Sequence, residues 1–388
     1  MNYRQLKKNP LLSLYNNYLY DSLLPLNINY FYNYGSLLGF CLVIQLITGI
    51  LLAMYYIPNI DLAFNSIEYI MREVPYGWLI RYIHANGASF FFFIVYLHIA
   101  RSLLYGSFIG KKQLTWNIGV ILFLLMIITA FIGYTLVWGQ MSLWGATVIT
   151  NLLSAIPYIG KELVEYIWGG FNVGGPTLNR FYSIHYLLPF IIIGLTLTHL
   201  IALHDSGGSN PLGFSSNRAL IPFHPYFSFK DLLGFIILIL ILLFMVFYYP
   251  NNLGHSDNYI PGNPLITPSH IVPESYLLPF YAILRSIPNK TLGVVAMIAS
   301  ILILLIIPYL HNSIINTSKF RPLYVIGLYI FFITFILLTW IGQAPVEEPY
   351  IFIGQILTGI YFLFFIIFIP MISFIEYFIY NYIYRYKN

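Results

Sequence analysis

Four histidines stand where imidazole is out of place. His84 and His98 flank the run Phe90-Phe91-Phe92-Phe93-Ile94-Val95, and His185 and His199 lie in a second apolar segment. Within each pair the positions differ by 14. On a helix that separation is about 21 Å of rise and about 40° of rotation, so both rings of a pair face one way at two depths. Ionisable side chains inside an apolar span are expensive and are kept for function. Two helices that each present imidazoles at two matched levels can build two sites, one above the other. Each site would then have a histidine on either side.

Glycines repeat the same interval. Gly35 and Gly49 are 14 apart in the first apolar run, and Gly119 and Gly133 are 14 apart in the third. Glycine lets a bulky flat object approach a helix backbone. Four successive segments therefore read Gly/Gly, His/His, Gly/Gly, His/His. The natural guest is haem, held between two histidines while two other helices pass close by. Ligation by two imidazoles leaves no open iron position, which suits electron transfer and disfavours oxygen binding. Intramembrane histidines can also relay protons in a transporter, but a proton relay needs no such clearance. A single histidine is most simply a hydrogen-bonded interior group, and a single glycine a packing residue. Four of each at one spacing outweigh that reading.

The elements that position these residues follow from composition. Charged residues are 8% of the 388 and hydrophobic ones 59%, which reads as an all-α polytopic membrane protein. Eight spans are expected, at 34–56, 76–105, 114–137, 180–203, 231–249, 291–310, 322–341 and 350–376, the first four forming a haem-binding bundle. Residues 1–212 would make that N-terminal half with its surface helix, and 213–388 a C-terminal half of four spans. Leu11, Leu12, Leu14, Tyr15, Tyr18, Leu19 and Leu23 mark an amphipathic helix over 11–24 lying on the membrane surface. The segments 138–179 and 250–290 are too apolar for solvated loops; short helices folded back to line a cavity are expected there. Cys41 lies within a span, so no disulfide framework exists. The net charge of +5 is scattered over span ends and does not point to nucleic acid.

An even number of spans puts both termini on one side. That side carries Arg4, Lys7, Lys8, Arg101, Lys111, Lys112, Arg218, Lys230, Lys319, Arg321, Arg385 and Lys387, against Arg72, Arg81, Lys161, Arg180, Arg285 and Lys290 on the other, 12 to 6 of the 18 basic residues. The positive-inside rule then places the termini in the cytoplasm or the mitochondrial matrix. Arg81 lies three residues before His84 and Arg101 three after His98, each on its histidine's face. Charge-assisted bonds to haem propionates are the functional reading. Arg180 reads better as a snorkelling arginine at a span end.

The chain also carries Gly139-Gln140-Met141-Ser142, Trp144-Gly145-Ala146-Thr147-Val148-Ile149-Thr150-Asn151-Leu152, His204-Asp205-Ser206-Gly207-Gly208-Ser209-Asn210-Pro211 and a Pro273-Glu274 loop. With the histidine spacing, these resemble the cytochrome b family of the cytochrome bc1 complex (respiratory complex III) over nearly the whole length. The resemblance implies a lower-potential haem b on His84 and His185 and a higher-potential one on His98 and His199, which agrees with the direction of the spans. It implies quinol oxidation at Gly145, Pro273, Glu274 and Tyr281, with Glu274 taking a proton from ubiquinol, and quinone reduction at His204 and Asp231, with Ser206 and Lys230 as weaker candidates. It implies transmembrane electron transfer coupled to proton translocation. It also implies a Rieske iron–sulfur protein, cytochrome c1 and other complex III subunits as partners, with a homodimeric complex in lipid. A mitochondrial inner-membrane location follows. Ser275 departs from the family's usual tryptophan, which puts the packing of that loop in question. A dihaem anchor for a dehydrogenase is the rival, but it would need only one quinone pocket. His224, His255, His270 and His311 receive no role.

Overall fold

The computed structural model describes residues 8–214 and 219–387. Among these, eight helices are long and apolar enough to cross a membrane: Tyr30–Ala53, Gly77–Tyr105, Gly110–Thr135, Gly175–Ser206, Tyr226–Tyr248, Lys290–Leu310, Pro322–Gln343 and Tyr350–Tyr382. Their number is as expected from hydropathy, but their ends differ by up to six residues, because local chemistry sets them. Tyr76, at φ 59°, turns the chain into the second span. The fourth starts early, at Gly175, where Thr177 accepts from the Gly174 N–H at 3.1 Å. The same helix runs on to Ser206, so His204 stands in its last turn and not beyond it. The fifth begins at Tyr226. Asp231 is thus more than a turn inside that span; it neither opens it nor caps it.

The helices, in chain order, are α1 (Pro10–Tyr15), α2 (Tyr34–Ala53), α3 (Ala63–Arg72), α4 (Gly77–Tyr105), α5 (Gln113–Thr135), α6 (Gln140–Asn151), α7 (Gly160–Trp168), α8 (Gly175–Ser206), α9 (Tyr226–Tyr248), α10 (Leu278–Ser286), α11 (Lys290–Leu310), α12 (Pro322–Gln343), α13 (Tyr350–Leu363) and α14 (Ile369–Lys387). The surface helix is shorter than its 11–24 pattern. Asn9 caps α1 by accepting from the Leu11 N–H at 3.0 Å, and a π-turn at Asn16–Tyr20 follows. Leu23–Pro25 (β1) then pairs antiparallel with Leu220–Pro222 (β2), so Leu23 belongs to a strand. Arg4, Lys7 and Arg218, three of the basic residues weighed above, lie outside the described residues, as do the side chains of Leu14, Tyr15, Arg385 and Lys387. Helices α6 and α7 lie in the 138–179 segment, as expected, but its residues do not line the cavity at the histidines, whereas Pro250, His255, Tyr259 and Glu274 of the 250–290 segment do.

Helix α2 packs along α4, and α5 along α8. The main core crosses between the two halves of the chain, bringing Phe92, Trp116 and Phe123 against Ile283, Ile307 and Tyr324. Outward faces are apolar too: Ile326, Ile330, Ile333 and Leu337 run exposed along α12 at helical spacing, a lipid-facing stripe.

One tie between the halves has a specific cause. Pro308 lies inside α11 and has no N–H for the carbonyl of Leu304, four residues back. The indole of buried Trp116 donates to that carbonyl at 2.6 Å. Trp116→Phe is therefore expected to lower unfolding stability in detergent by about 1–2 kcal/mol, through an unsatisfied carbonyl. In a Pro308→Ala background the helix supplies its own donor, and the same change is expected to cost markedly less. Equal losses in the two backgrounds would show that the indole does not replace the missing N–H.

Candidate functional site

At the first level the rings of His84 and His185 stand 6.4 Å apart, centroid to centroid, with planes at 85°. Two imidazoles sharing one metal, each bonded at about 2 Å with its ring centroid about 1.1 Å further out, give a little over 6 Å. The remaining nitrogens are already engaged. His84 Nδ1 lies 2.8 Å from Thr48 Oγ1, whose own proton goes to the Ile44 carbonyl at 2.7 Å. His185 Nδ1 donates to the Thr129 carbonyl at 2.9 Å. Both Nδ1 atoms thus carry the proton, and both Nε2 lone pairs are free to ligate, the arrangement that outer partners of metal-bound histidines impose. Among the described residues no group of three or more His, Cys, Asp or Glu could hold a bare ion. A metal held by this pair would need its remaining ligands from a group such as haem.

Helix α4 carries the second level one histidine interval along. The Nη2 of Arg101 donates to His98 Nδ1 at 3.1 Å, and its guanidinium lies over the Tyr32 ring at 5.1 Å. Its Nε is buried with no hydrogen-bond partner among the described residues. A buried guanidinium with an unengaged donor is suited to an anion, and withdrawing it from Nδ1 would let the proton sit there and free Nε2. His199 faces the carbonyl of Thr115, which precedes Thr129 by the same interval, but outside hydrogen-bond geometry.

The four glycines contact the histidines themselves. A Cβ at Gly49 would come 3.1 Å from Cε1 of His84, at Gly119 3.2 Å from Cε1 of His199, and at Gly35 3.4 Å from Cε1 of His98. At Gly133 it would overlap the His185 ring outright. The expectation of clearance for a flat guest is thereby sharpened: the flat object that meets these backbones is the imidazole edge.

A cavity of about 310 Å³ opens at the first level. Its lining includes Gly49, His84, Gly133 and His185, and also Arg81, Tyr134, Glu274 and Tyr276. Burial pushes the Glu274 carboxyl up to about 7, against the opposing pull of the Arg81 charge and the Tyr134 hydroxyl. Gly145, Pro273 and Tyr281 do not line this cavity. Gly145 sits mid-helix in α6 with open space at its Cβ position, so it is not a turn glycine. Tyr281 donates to the Ile271 carbonyl at 3.2 Å, with the Arg285 guanidinium 5.6 Å from its ring centroid. Ser275 is exposed; the loop is fixed by Tyr276, which stacks on Phe92 at 4.1 Å and 3°. The missing indole therefore leaves that anchor untouched. Arg180 donates to the Tyr166 and Ile167 carbonyls, as suits a span-end arginine.

On the side of the termini, Asp231 accepts from Asn33 Nδ2 at 2.6 Å and Ser36 Oγ at 2.7 Å. His204 is exposed, edge-on to Tyr18 at 4.6 Å. Lys230 donates to the Ile28 carbonyl at 2.8 Å, and Ser206 to the Leu203 carbonyl of its own helix at 3.2 Å. The sequence reading missed Thr48, Thr129, Asn33, Ser36 and Tyr134. Signals were present in the repeat itself: Thr48, Ser36 and Tyr134 each adjoin one of the four glycines, and Thr129 follows Thr115 by the same 14 residues.

Comparison with known proteins agrees with this architecture. The family described as Cytochrome b/b6/petB matches residues 19–207, and that described as Cytochrome b(C-terminal)/b6/petD matches 261–362. Cytochrome b of Mycosarcoma maydis is 58% identical over 373 residues, covering 96% of this chain and 95% of that protein. Cytochrome b of Saccharomyces cerevisiae is 56% identical over 370 residues, 95% of this chain and 96% of that one. A solved chain from "Hyperthermophilic respiratory Complex III" superposes with a TM-score of 0.91 at 34% identity, covering 96% of this chain and 99% of its own. With two histidines facing across a cavity on a full-length match of this kind, the chain belongs to the cytochrome b family.

Proposed function

We propose that the chain is the electron-conducting core of a quinol–cytochrome c oxidoreductase. It oxidises ubiquinol on one face of the mitochondrial inner membrane, reduces quinone on the other, and couples this to proton translocation. The single observation that carries the reading is that Glu274, its carboxyl held near neutrality, lines the same cavity as the facing His84 and His185 rings. Two haems b, on His84/His185 and His98/His199, supply a one-electron path between the two faces when bound. Thr48 and Thr129 orient the first pair of ligands. Arg81 and Arg101 offer charge to the propionates. Gly35, Gly49, Gly119 and Gly133 keep the ligand rings seated.

Glu274 accepts the quinol hydroxyl proton and exchanges it with solvent, a general base whose raised pKa matches the working pH. Pro273 restrains the backbone before it, and Gly145 and Tyr281 are assigned to the quinol by family resemblance. On the face of the termini, His204 and Asp231 deliver protons to quinone, with Asn33 and Ser36 fixing the Asp231 carboxylate and Lys230 and Ser206 nearby. The N-terminal half, 1–212, is the haem-binding unit and 213–388 completes the quinone pockets. The reaction needs partners: a Rieske iron–sulfur protein, cytochrome c1 and further complex III subunits, in a dimer with both termini in the matrix. The 12-to-6 charge bias supports that orientation.

The glycine contacts grade the effect of substitution. Gly133→Ala is expected to strip the His84/His185 haem, and Gly35→Ala, whose Cβ would make ordinary contact, to keep both. Haem per polypeptide from reduced-minus-oxidised spectra decides it; equal losses in the two variants would refute imidazole clearance.

A second outcome concerns pH. Glu274 is a base only when ionised, so the wild-type rate of quinol oxidation should fall as pH drops through about 7. Glu274→Gln should lower the rate about 10²-fold and remove that limb. An unchanged profile in the Gln variant would move the chemistry to another group.

A further inference from the structure

The segment between α11 and α12 holds a side-chain cluster that shares no residue with the sites above. Arg321 is 1% exposed. Its Nε donates to both carboxylate oxygens of Glu376 on α14, at 2.8 and 3.0 Å, and its Nη1 contacts His311 Nε2. The Tyr324 ring lies 4.2 Å from its guanidinium carbon. Ser313 donates to Glu376 at 2.8 Å. His311 is itself buried, edge-on to Phe108 at 5.4 Å. Arg321 thus ties together both ends of the segment 311–321 and fastens the closed loop to the last span.

What the loop does with its middle is specific. The last carbonyls of α4 have no partners within the helix. Ser318 Oγ donates to that of Leu104, and Tyr324 donates to that of Leu103 at 3.3 Å. Gly106, at φ 61°, ends α4 directly against the Asn316 carbonyl, where a Cβ would collide. Thr317 Oγ1 donates to the Pro211 carbonyl at 2.9 Å, in the segment that follows α8. One loop therefore grips the end of α4, about one and a half turns beyond His98, and the chain just past the end of α8. The ends it grips are those nearest His98 and His199; His84 and His185 lie a full histidine interval farther away.

We propose that the 311–321 loop, closed by Arg321, His311 and Glu376, is a positioning strap that sets the mutual orientation of His98 and His199, and through it the properties of that haem alone. The inference rests on the two-haem reading of the preceding subsection. Its test uses the whole complex in detergent, with potentiometric titration and low-spin EPR signals of both haems. Arg321→Met is expected to shift the reduced-to-oxidised ratio of the His98/His199 haem at fixed potential by about threefold or more, and to move its EPR signal, with the His84/His185 haem unchanged. Arg321→Lys, which keeps the charge, should recover part of the shift. Should Arg321→Met fail to assemble, the milder Thr317→Val/Ser318→Ala pair removes two grips without touching the buried ions, and a shift of the same haem is expected. Unaltered signals in that pair, or equal shifts at both haems, would overturn the strap. A wild-type complex without two low-spin haems would overturn the two-haem reading instead.

Discussion

Imidazole edge against glycine backbone is the contact on which the arrangement depends. A histidine that points across a bundle toward a partner 6.4 Å away must lie back against the helix beside it. A side chain there crowds the ring, outright at Gly133 and least at Gly35. Gly49 and Gly35 on α2 seat the rings of α4; Gly133 and Gly119 on α5 seat those of α8. Because the two levels are equally spaced on both partners, one helix pairing serves two sites. The register of α2 on α4 and of α5 on α8 is thereby fixed twice. Sliding either pair by one residue would rotate its side chains by about 100° and unseat both histidines together. Thr48 and Thr129 complete the seat by holding Nδ1, so ring position and tautomer are set by the same two neighbouring helices.

Several other polar groups answer a demand of the apolar surroundings, where an unsatisfied hydrogen-bonding group has no water to turn to. Trp116 fills the gap left by Pro308. Ser318 and Tyr324 take the last carbonyls of α4, and Arg285 donates to those of Ile341 and Gly342 at the end of α12. Glu274, the proposed proton acceptor, is held differently. Its carboxyl has a charge and a hydroxyl nearby, yet burial outweighs both and holds it near neutrality. A residue fully paired there would sit at an ordinary carboxylate pKa and could not exchange a proton in the neutral range.

Periodic features were legible in the sequence, because a helix turns its own repeat into a spatial one. The eight spans, the four histidines and the four glycines came from that alone. Glu274 came from family resemblance, and the structure added only its place in the cavity. Span ends were less legible: a positive φ at Tyr76, a threonine at 177 and the continuation of α8 to Ser206 are local backbone events that hydropathy averages away. Asp231 was misplaced for that reason, and Leu23 because its strand partner, β2, lies some two hundred residues later. The role of His311 was invisible, since Arg321 and Glu376 approach it from other elements. Ser275 departs from the family's pattern at an exposed position, and the buried Tyr276 beside it anchors the loop.

The orientation proposed for the chain can be weighed against these burials. The positive-inside rule counts arginines by sequence position, but a guanidinium folded into the protein no longer acts on the membrane surface. Arg101 and Arg321 are occupied by His98 and Glu376, and Arg81 and Arg285 by the cavity and the end of α12. Removing them leaves 12 − 2 = 10 basic residues on the side of the termini and 6 − 2 = 4 on the other. The bias grows from twofold to two and a half. Orientation and internal chemistry thus draw on different arginines, so neither set constrains the other. A chain under this division can bury cations in its interior without confusing its own topology.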